Sequence, residues 1–418
     1  MPAPNPAGRL FTSASQRRLF ALLTVCTLFE GFDTKLASLV LPVIGQEFGA
    51  GPEALGRALS ASSLGMPFAF FAMRLADRVG RRPVFLASVA GYASLTFATA
   101  FAPSLAAFTA LQIGARLLMV TELALAYLIL SEELAPEKRG RANGLLGGFA
   151  SLGASIPALL LAPLEAAGPG WRGLFALGAL PLILFPLYLR GVRETPVFAE
   201  AAIGARRSLR DELRALLPLV APGYRARLAG LTALWVTVSF WSGTALYFFV
   251  YFVFQERGWT ARDLQWLTLG TVPAGFAGYG LAGWLMDRIG RRTAAVAYLV
   301  VGTAMTVFCF QSEDRWVIAA GYWALIGLGG VWTIATTLTA ELYPTQLRAA
   351  ALGLTQHLLG RIGLVLGPLA TGWLAARLGS TGDAVSWLAL ANLLAVPLVL
   401  GLVPETRGTD LSAVADAR

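Results

Sequence analysis

Seven ionisable side chains interrupt otherwise apolar stretches of this 418-residue chain: Glu30, Asp33 and Lys35 in one, Arg116 and Glu122 in a second, His357 and Arg361 in a third. A charge inside an apolar segment costs free energy, so those that persist face a partner or a wet cavity and mark candidate working sites. Glu30 and Asp33 are three apart and His357 and Arg361 four apart, so each pair shares a face if its stretch is a helix, whereas Lys35 lies well round from Asp33. Burial discourages a carboxylate from ionising and a nearby arginine encourages it, so access of a partner can switch the group between its two forms. That is the chemistry of proton binding and release. Asp33 is its leading candidate, with Glu30 or Glu122 as relays and Arg116 as counter-ion. A static ion pair between Asp33 and Arg116 fits the same residues, and Lys35 is read as neutralising Glu30 or reaching toward the membrane surface.

Arg361 points to a different role. Its guanidinium stays charged and offers a planar fork that holds a carboxylate through two parallel hydrogen bonds. It is the candidate contact for an anionic small molecule, with Gln356 and His357, the only histidine, as neighbouring hydrogen-bonding groups. Capping of free carbonyls, or pairing with a glutamate of the preceding span, is the alternative for Arg361; packing is the alternative for His357. In LTALWVTVSFWSGTALYFFVYFVF (231–254), Trp241 and Tyr247 flank a small-residue SGTA break, a pattern that suits a pocket for a planar ring. Aromatic belts and lipid-facing packing account for aromatics in such spans as well.

The elements that must position these groups follow from composition. Apolar residues make up 56% of the chain, charged residues 14%, and mean hydropathy is +0.65, too apolar for a soluble domain. About twenty apolar residues cross a bilayer core of roughly 30 Å as a helix. Twelve stretches qualify, near 18–46, 56–76, 83–102, 105–131, 140–163, 172–190, 227–254, 263–286, 293–312, 315–341, 347–376 and 383–403. They are continuously apolar rather than alternating, which indicates helices over a β-barrel.

The net charge of +9 is a matter of topology rather than of nucleic acid, because Arg and Lys concentrate on alternate loops in a positive-inside pattern that leaves both termini cytoplasmic. The resulting organisation is a cytoplasmic N-terminus (1–17), a six-helix bundle (18–190), an amphipathic cytoplasmic linker (191–226), a second six-helix bundle (227–403) and a cytoplasmic tail (404–418). The first apolar run looks like a secretory signal, but Glu30, Asp33 and Lys35 interrupt it and no small-residue cleavage site ends it, so it reads as the first span. Cys26 and Cys309 lie in different halves and form neither a disulfide nor a metal pattern.

MRLADRVGRRPVF (73–85) returns half a chain length later as GWLMDRIGRRTAA (283–295), which divides the chain into two homologous halves. Glycine followed by arginines between apolar runs forms a tight basic loop at a membrane surface, and internal repeats of this kind build many secondary transporters. Asp77, Arg78, Arg81 and Arg82, with Asp287, Arg288, Arg291 and Arg292, are therefore candidate gating residues. Glu133 with Arg139, and Glu341 with Arg348, are expected in the same network. Topology alone would retain the arginines without requiring the acids.

Together with EELAPEKRGRANG (132–144) and ELYPTQLRAAALG (341–353), these loops resemble the motifs of the major facilitator superfamily over essentially the whole chain. FEGFDTKLASLVLP (29–42) and LGRIGLVLGP (359–368) look most like proton symporters for aromatic acids and other organic anions, while RETPVF (193–198) and VPETRG (403–408) resemble elements of sugar porters and their metabolite-transporting relatives. Glu122, ten residues before Glu132, is similar to the helix-four glutamate of metabolite proton symporters. Two departures stand out: Met73 where the first loop motif usually has Gly, and a spacing after Arg116 shortened by about one helical turn of roughly 3.6 residues.

The resemblance implies an all-α membrane protein with twelve transmembrane helices in two pseudo-symmetric six-helix bundles, working by alternating access. It implies proton-coupled uptake of a small organic anion, an aromatic or other carboxylate. A proton-driven efflux antiporter for a drug or metabolite, a sugar porter, and a non-transporting membrane sensor remain as alternatives. A sugar porter would leave Arg361 charged without an anionic ligand. The expected partners are an anionic small molecule, protons and the lipid bilayer, with no nucleic acid; the expected state is a monomer in a bacterial inner membrane. An enzyme is not expected: no Gly-rich loop with Lys cradles a phosphate, no His or Cys cluster could hold a metal, and no nucleophile adjoins a base, so neither cofactor nor metal is called for.

Overall fold

The computed structural model describes residues 10–195 and 216–407. Twelve helical spans run through it: α1 Ala14–Leu39, α2 Pro52–Val79, α3 Arg81–Thr99, α4 Leu105–Glu133, α5 Pro136–Ala166, α6 Gly170–Gly191, α7 Arg225–Arg257, α8 Ala261–Ile289, α9 Arg291–Gln311, α10 Arg315–Glu341, α11 Ala350–Leu378 and α12 Thr381–Leu402. Among the described residues there is no strand. Lipid leaves no other choice, because helices close their backbone hydrogen bonds within the segment. Among the described residues, nine of the spans are long and apolar enough to cross a membrane on length and composition. The other three, α1, α3 and α8, are long but diluted, α1 by its charges, α3 by Ser, Thr and Tyr, and α8 by Gly and polar residues. Most of the linker, 196–215, and the tails 1–9 and 408–418 lie outside the described residues.

The first span is shorter than its apolar run. Helix α1 ends at Leu39, and a separate helical segment, Leu41–Glu47, starts with Pro42 in its first turn. Proline has no N–H to donate to the preceding turn and its ring clashes there, so it serves at a helix start where it would break an interior.

By contacts the chain divides into two units, Met1–Ala37 with Phe68–Ser208, and Ser38–Pro67 with Leu209–Arg418. In the first, α1 meets α5 backbone to backbone: a Cβ on Gly31 would overlap the carbonyl oxygen of Ala150, and one on Gly153 that of Leu28. In the second, α7 meets α11 in the same way through Gly363 against Val236 and Gly367 against Phe240 and Gly243. Apolar burial drives little association in lipid, so close van der Waals approach at small residues holds such pairs together. The segment Pro52–Ser63 at the start of α2 packs along α11 with Gly56 against Gly372. Gly153→Leu would drive a branched side chain into the Leu28 carbonyl, a clash with backbone that no rotamer relieves. Loss of the monodisperse peak in detergent size-exclusion is the expected outcome, and a wild-type profile would show that α1 and α5 tolerate separation.

Two spans of the second unit carry π-helical turns, Ser242–Leu246 in α7 and Gly353–Leu359 in α11. The second is closed by the Gly360 N–H donating to the Thr355 carbonyl, five residues back, at 2.8 Å. Such bulges insert one extra residue per turn and rotate the remainder of the helix about its axis, which is why they recur at functional sites. The SGTA break is thus a π-turn, and Gln356, His357 and Arg361 sit on or just after the other one.

Candidate functional site

In the first unit, the charges of α1 and α4 are brought together with hydroxyls of α3. Asp33, Thr96, Gln112, Arg116, Met119 and Phe175 line a small cavity, with room for about one water molecule. The Thr96 hydroxyl donates to Asp33 Oδ2 at 3.2 Å, and Gln112 Nε2 donates to Thr99 Oγ1 at 3.1 Å. Asp33 Oδ1 is buried and accepts no hydrogen bond among the described residues. One turn away on the same helix, Glu30 is 7% exposed and accepts from the Thr34 hydroxyl at 2.9 Å. Glu122 is fully buried beside the Cys26 thiol, with neither carboxylate oxygen hydrogen-bonded among the described residues. The sequence expectation named Asp33, Glu30, Arg116 and Glu122 but passed over Thr96 and Gln112. Gln112 carried a signal, since it lies four residues before Arg116 on one helix face; Thr96 reads like any other hydroxyl in a span.

In the second unit, the Arg361 guanidinium carbon lies 5.6 Å from the centroid of the Trp332 ring on α10. Trp332 meets Trp235 of α7 edge-on at 5.4 Å, and the Trp235 indole N–H donates to Thr339 Oγ1 at 3.1 Å. Gly360, just before Arg361, packs against Trp235 Cβ. Gln356 and His357 are partly exposed on the π-turn. Trp241, expected to line a ring pocket, is 5% exposed, its indole N–H donates to Thr306 of α9 at 2.9 Å, and it lines an interior pocket of the second unit with Val238, Tyr298, Leu299 and Asn392. Tyr247 is partly exposed, while Phe248, Phe249 and Phe252 are fully buried, Phe249 stacking on Tyr322 at 3.8 Å. Much of the aromatic density of α7 is therefore core. Trp332 was not foreseen, since a tryptophan in an apolar span carries no charge signal of its own.

The two repeated loops are built alike, each inside its own unit. Gly80 and Gly290 start α3 and α9 with φ of +114° and +95°, a backbone region open essentially to glycine alone, and so provide no capping side chain. Carboxylates from the ends of the six-helix runs replace it. Glu194 accepts from the Arg81 N–H at 2.9 Å and the Arg82 N–H at 3.3 Å; Glu405 accepts from Arg291 at 2.7 Å, Arg292 at 3.1 Å and Thr293 at 3.3 Å. An anion suits this position because free N–H groups and the helix dipole converge on it. In return Arg82 caps the last carbonyls of α6, Leu189 and Val192, at 2.9 Å, and Arg292 reaches Leu400 of α12 at 3.3 Å. Arg81 pairs with Asp77 at 3.2 Å and Glu132 at 3.4 Å; Arg291 pairs with Asp287 at 3.6 Å and Glu341 at 3.2 Å. Glu132, which the sequence reading did not name for gating, is the acid that meets Arg81, and Arg139, expected beside Glu133, donates its Nε–H to the Leu134 carbonyl at 2.9 Å. Helix α4 turns Glu132 toward α3, a choice between adjacent residues that depends on helix phase. Arg78 and Arg288 are exposed, and Arg348 is partly buried.

Burial opposes the charge of Glu405, but the backbone N–H groups of Arg291, Thr406, Thr293 and Arg407 outweigh it and hold its pKa below the ordinary glutamate value of 4.5. A depressed pKa means that the cap contributes fully above pH 4.5 and is lost as pH falls below it. Glu405→Gln, which keeps the shape and removes the charge, is expected to cost about 1–2 kcal/mol. Thermal unfolding in detergent reads it: the variant melts lower at pH 7 and the gap closes toward acid pH, whereas equal melting at both would remove the cap from the stability of α9.

Long apolar helices in two repeated halves, with charges held inside, define a membrane transport fold. Residues 23–368, and again 232–413, match the Major Facilitator Superfamily, and the chain belongs to that family, whose members are transporters rather than enzymes. It is 31% identical to a candidate niacin/nicotinamide transporter, NiaP, of Bacillus subtilis (strain 168), covering 95% of this chain and 98% of that one. It is 30% identical to the 3-(3-hydroxy-phenyl)propionate transporter of Escherichia coli (strain K12), covering 88% and 91%. Among solved structures, a D-xylose-proton symporter matches with a TM-score of 0.72 at 18% identity, covering 94% of this chain and 99% of that one. That likeness shows the twelve-helix fold.

Proposed function

We propose that this protein is a proton-coupled importer of a small aromatic carboxylate, working by alternating access from a bacterial inner membrane with both termini cytoplasmic. The observation that carries the coupling is Asp33: one carboxylate oxygen is held by Thr96, and the other is buried without a hydrogen bond among the described residues, in a cavity shared with Arg116. A proton on that oxygen cancels a charge that the low-dielectric interior would otherwise have to hold. Glu30 and Glu122 relay the proton. Arg361 takes the substrate carboxylate, with Gln356 and His357 as flanking hydrogen-bonding groups and Tyr247 farther along α7. The relatives named for niacin and for a phenylpropionate support an aromatic acid as the cargo. The Asp77 and Asp287 loops act in gating, since their ion pairs join helix ends that must move when the carrier changes state.

The test is transport into proteoliposomes of a panel of carboxylates, sugars and cationic drugs under an imposed inward proton gradient, read with an internal pH dye. Proton entry that depends on aromatic carboxylates supports the proposal. Proton movement only with cationic drugs would replace it with an exporter, sugar-dependent entry with a sugar porter, and ligand binding without flux with a sensor.

A further inference from the structure

The indole of Trp332 is held rather than loosely packed. Its edge neighbour Trp235 is fully buried, anchored by a hydrogen bond to Thr339, and backed by Gly360, which has no side chain to displace it. Trp332 itself is only partly buried, and the next residue, Thr333, is exposed. Trp235 thus steadies the Trp332 indole through an edge-on contact at 5.4 Å, while the guanidinium carbon of Arg361 lies 5.6 Å from the ring centroid. A guanidinium over a ring keeps its N–H groups in its own plane, where they can fork a carboxylate. In a benzoate-type acid the carboxylate is conjugated with its ring, so a fork that fixes the one also fixes the plane of the other. A flat ring held beside an indole gains stacking that a puckered ring of equal charge and carbon number does not.

We infer that Trp332 is the residue that selects planar aromatic acids over aliphatic acids of the same size, by stacking on the substrate ring while Arg361 holds the carboxylate. The inference rests on the proposed carboxylate transport and adds to it the source of ring selectivity.

The experiment compares uptake of benzoate and of cyclohexanecarboxylate by the full-length protein in proteoliposomes, as wild type, Trp332→Leu, Trp332→Met and Trp332→Phe. The expected wild-type half-saturation is about threefold to tenfold lower for benzoate, the range of a single aromatic pair. Trp332→Leu is expected to bring the two acids to the same value, mainly by weakening benzoate, and Trp332→Phe to restore part of the preference. Trp332→Met fills the volume without an aromatic face and decides the matter if the leucine variant does not fold. A preference unchanged in the methionine or leucine variant, or an equal loss for both acids, overturns the inference and leaves Trp332 as packing behind Arg361. Uptake of neither acid by the wild type overturns the proposed function itself, a result distinct from a selectivity that fails to move.

Discussion

Asp33→Asn is expected to abolish uphill accumulation of substrate while leaving exchange across the membrane within about twofold of wild type. A pH difference of one unit stores about 1.4 kcal/mol per proton, which supports a tenfold accumulation ratio when one proton accompanies each carboxylate anion. Asparagine keeps an oxygen to accept from Thr96, so the local geometry built from α1 and α3 survives. It cannot carry a proton, so the ratio in the variant falls to about 1 under the same gradient. Exchange of labelled for unlabelled substrate needs no net proton movement and continues, because the carrier can reorient with substrate bound. Retained tenfold accumulation would remove Asp33 from coupling and direct attention to Glu122. Loss of folded protein would make Asp33 a structural group instead, paired across to α4. The lipid-embedded assay separates these three outcomes, since accumulation, exchange and yield are read on one preparation.

Removing the fork from the second unit acts on affinity rather than on coupling. Arg361→Ala deletes charge-assisted hydrogen bonds worth about 1.5–3 kcal/mol, so the half-saturation for a carboxylate substrate rises about tenfold to a hundredfold. Accumulation at saturating substrate stays near wild type, because the proton site lies on other helices. Arg361→Lys restores the charge without the planar fork and recovers only part of the loss. Initial-rate uptake against concentration checks this, and an unchanged half-saturation in the alanine variant would leave Arg361 to its contact with Trp332 as a packing partner. The contrast between the two variants is the sharpest test of the division of roles: one loses accumulation at constant affinity, the other affinity at constant accumulation.

What is legible along the chain and what is not divides by the range of the interactions involved. The pairing of Asp77 with Arg81 and of Asp287 with Arg291 spans four residues and is legible as a repeated spacing on one helix end. The face shared by Glu30 and Asp33 is legible for the same reason. Trp241 reads as a pocket residue because an aromatic beside a small-residue break looks the same whether it faces a ligand or a neighbouring helix; its hydrogen bond to Thr306 crosses 65 residues. Glu133 and Glu132 are adjacent acids, and only the phase of α4 as it ends distinguishes them. The elements at 193–198 and 403–408 are recognisable as motifs, yet their action, a carboxylate set on the first turn of a helix, depends on partners more than a hundred residues away.

By itself the sequence determined a twelve-helix membrane protein of two repeated halves, because hydropathy sums along a segment and the lipid environment then permits only helices. It also determined which charges had to be accounted for, since a carboxylate or guanidinium in an apolar run costs free energy wherever the helix is placed. The tertiary structure alone decided what those charges meet: Thr96 on Asp33, Trp332 beside Arg361, Glu132 on Arg81, Glu405 on the start of α9. Those partners come from other helices, and their rotation about the helix axis is set by glycine-mediated close packing and by π-turns that local periodicity does not encode.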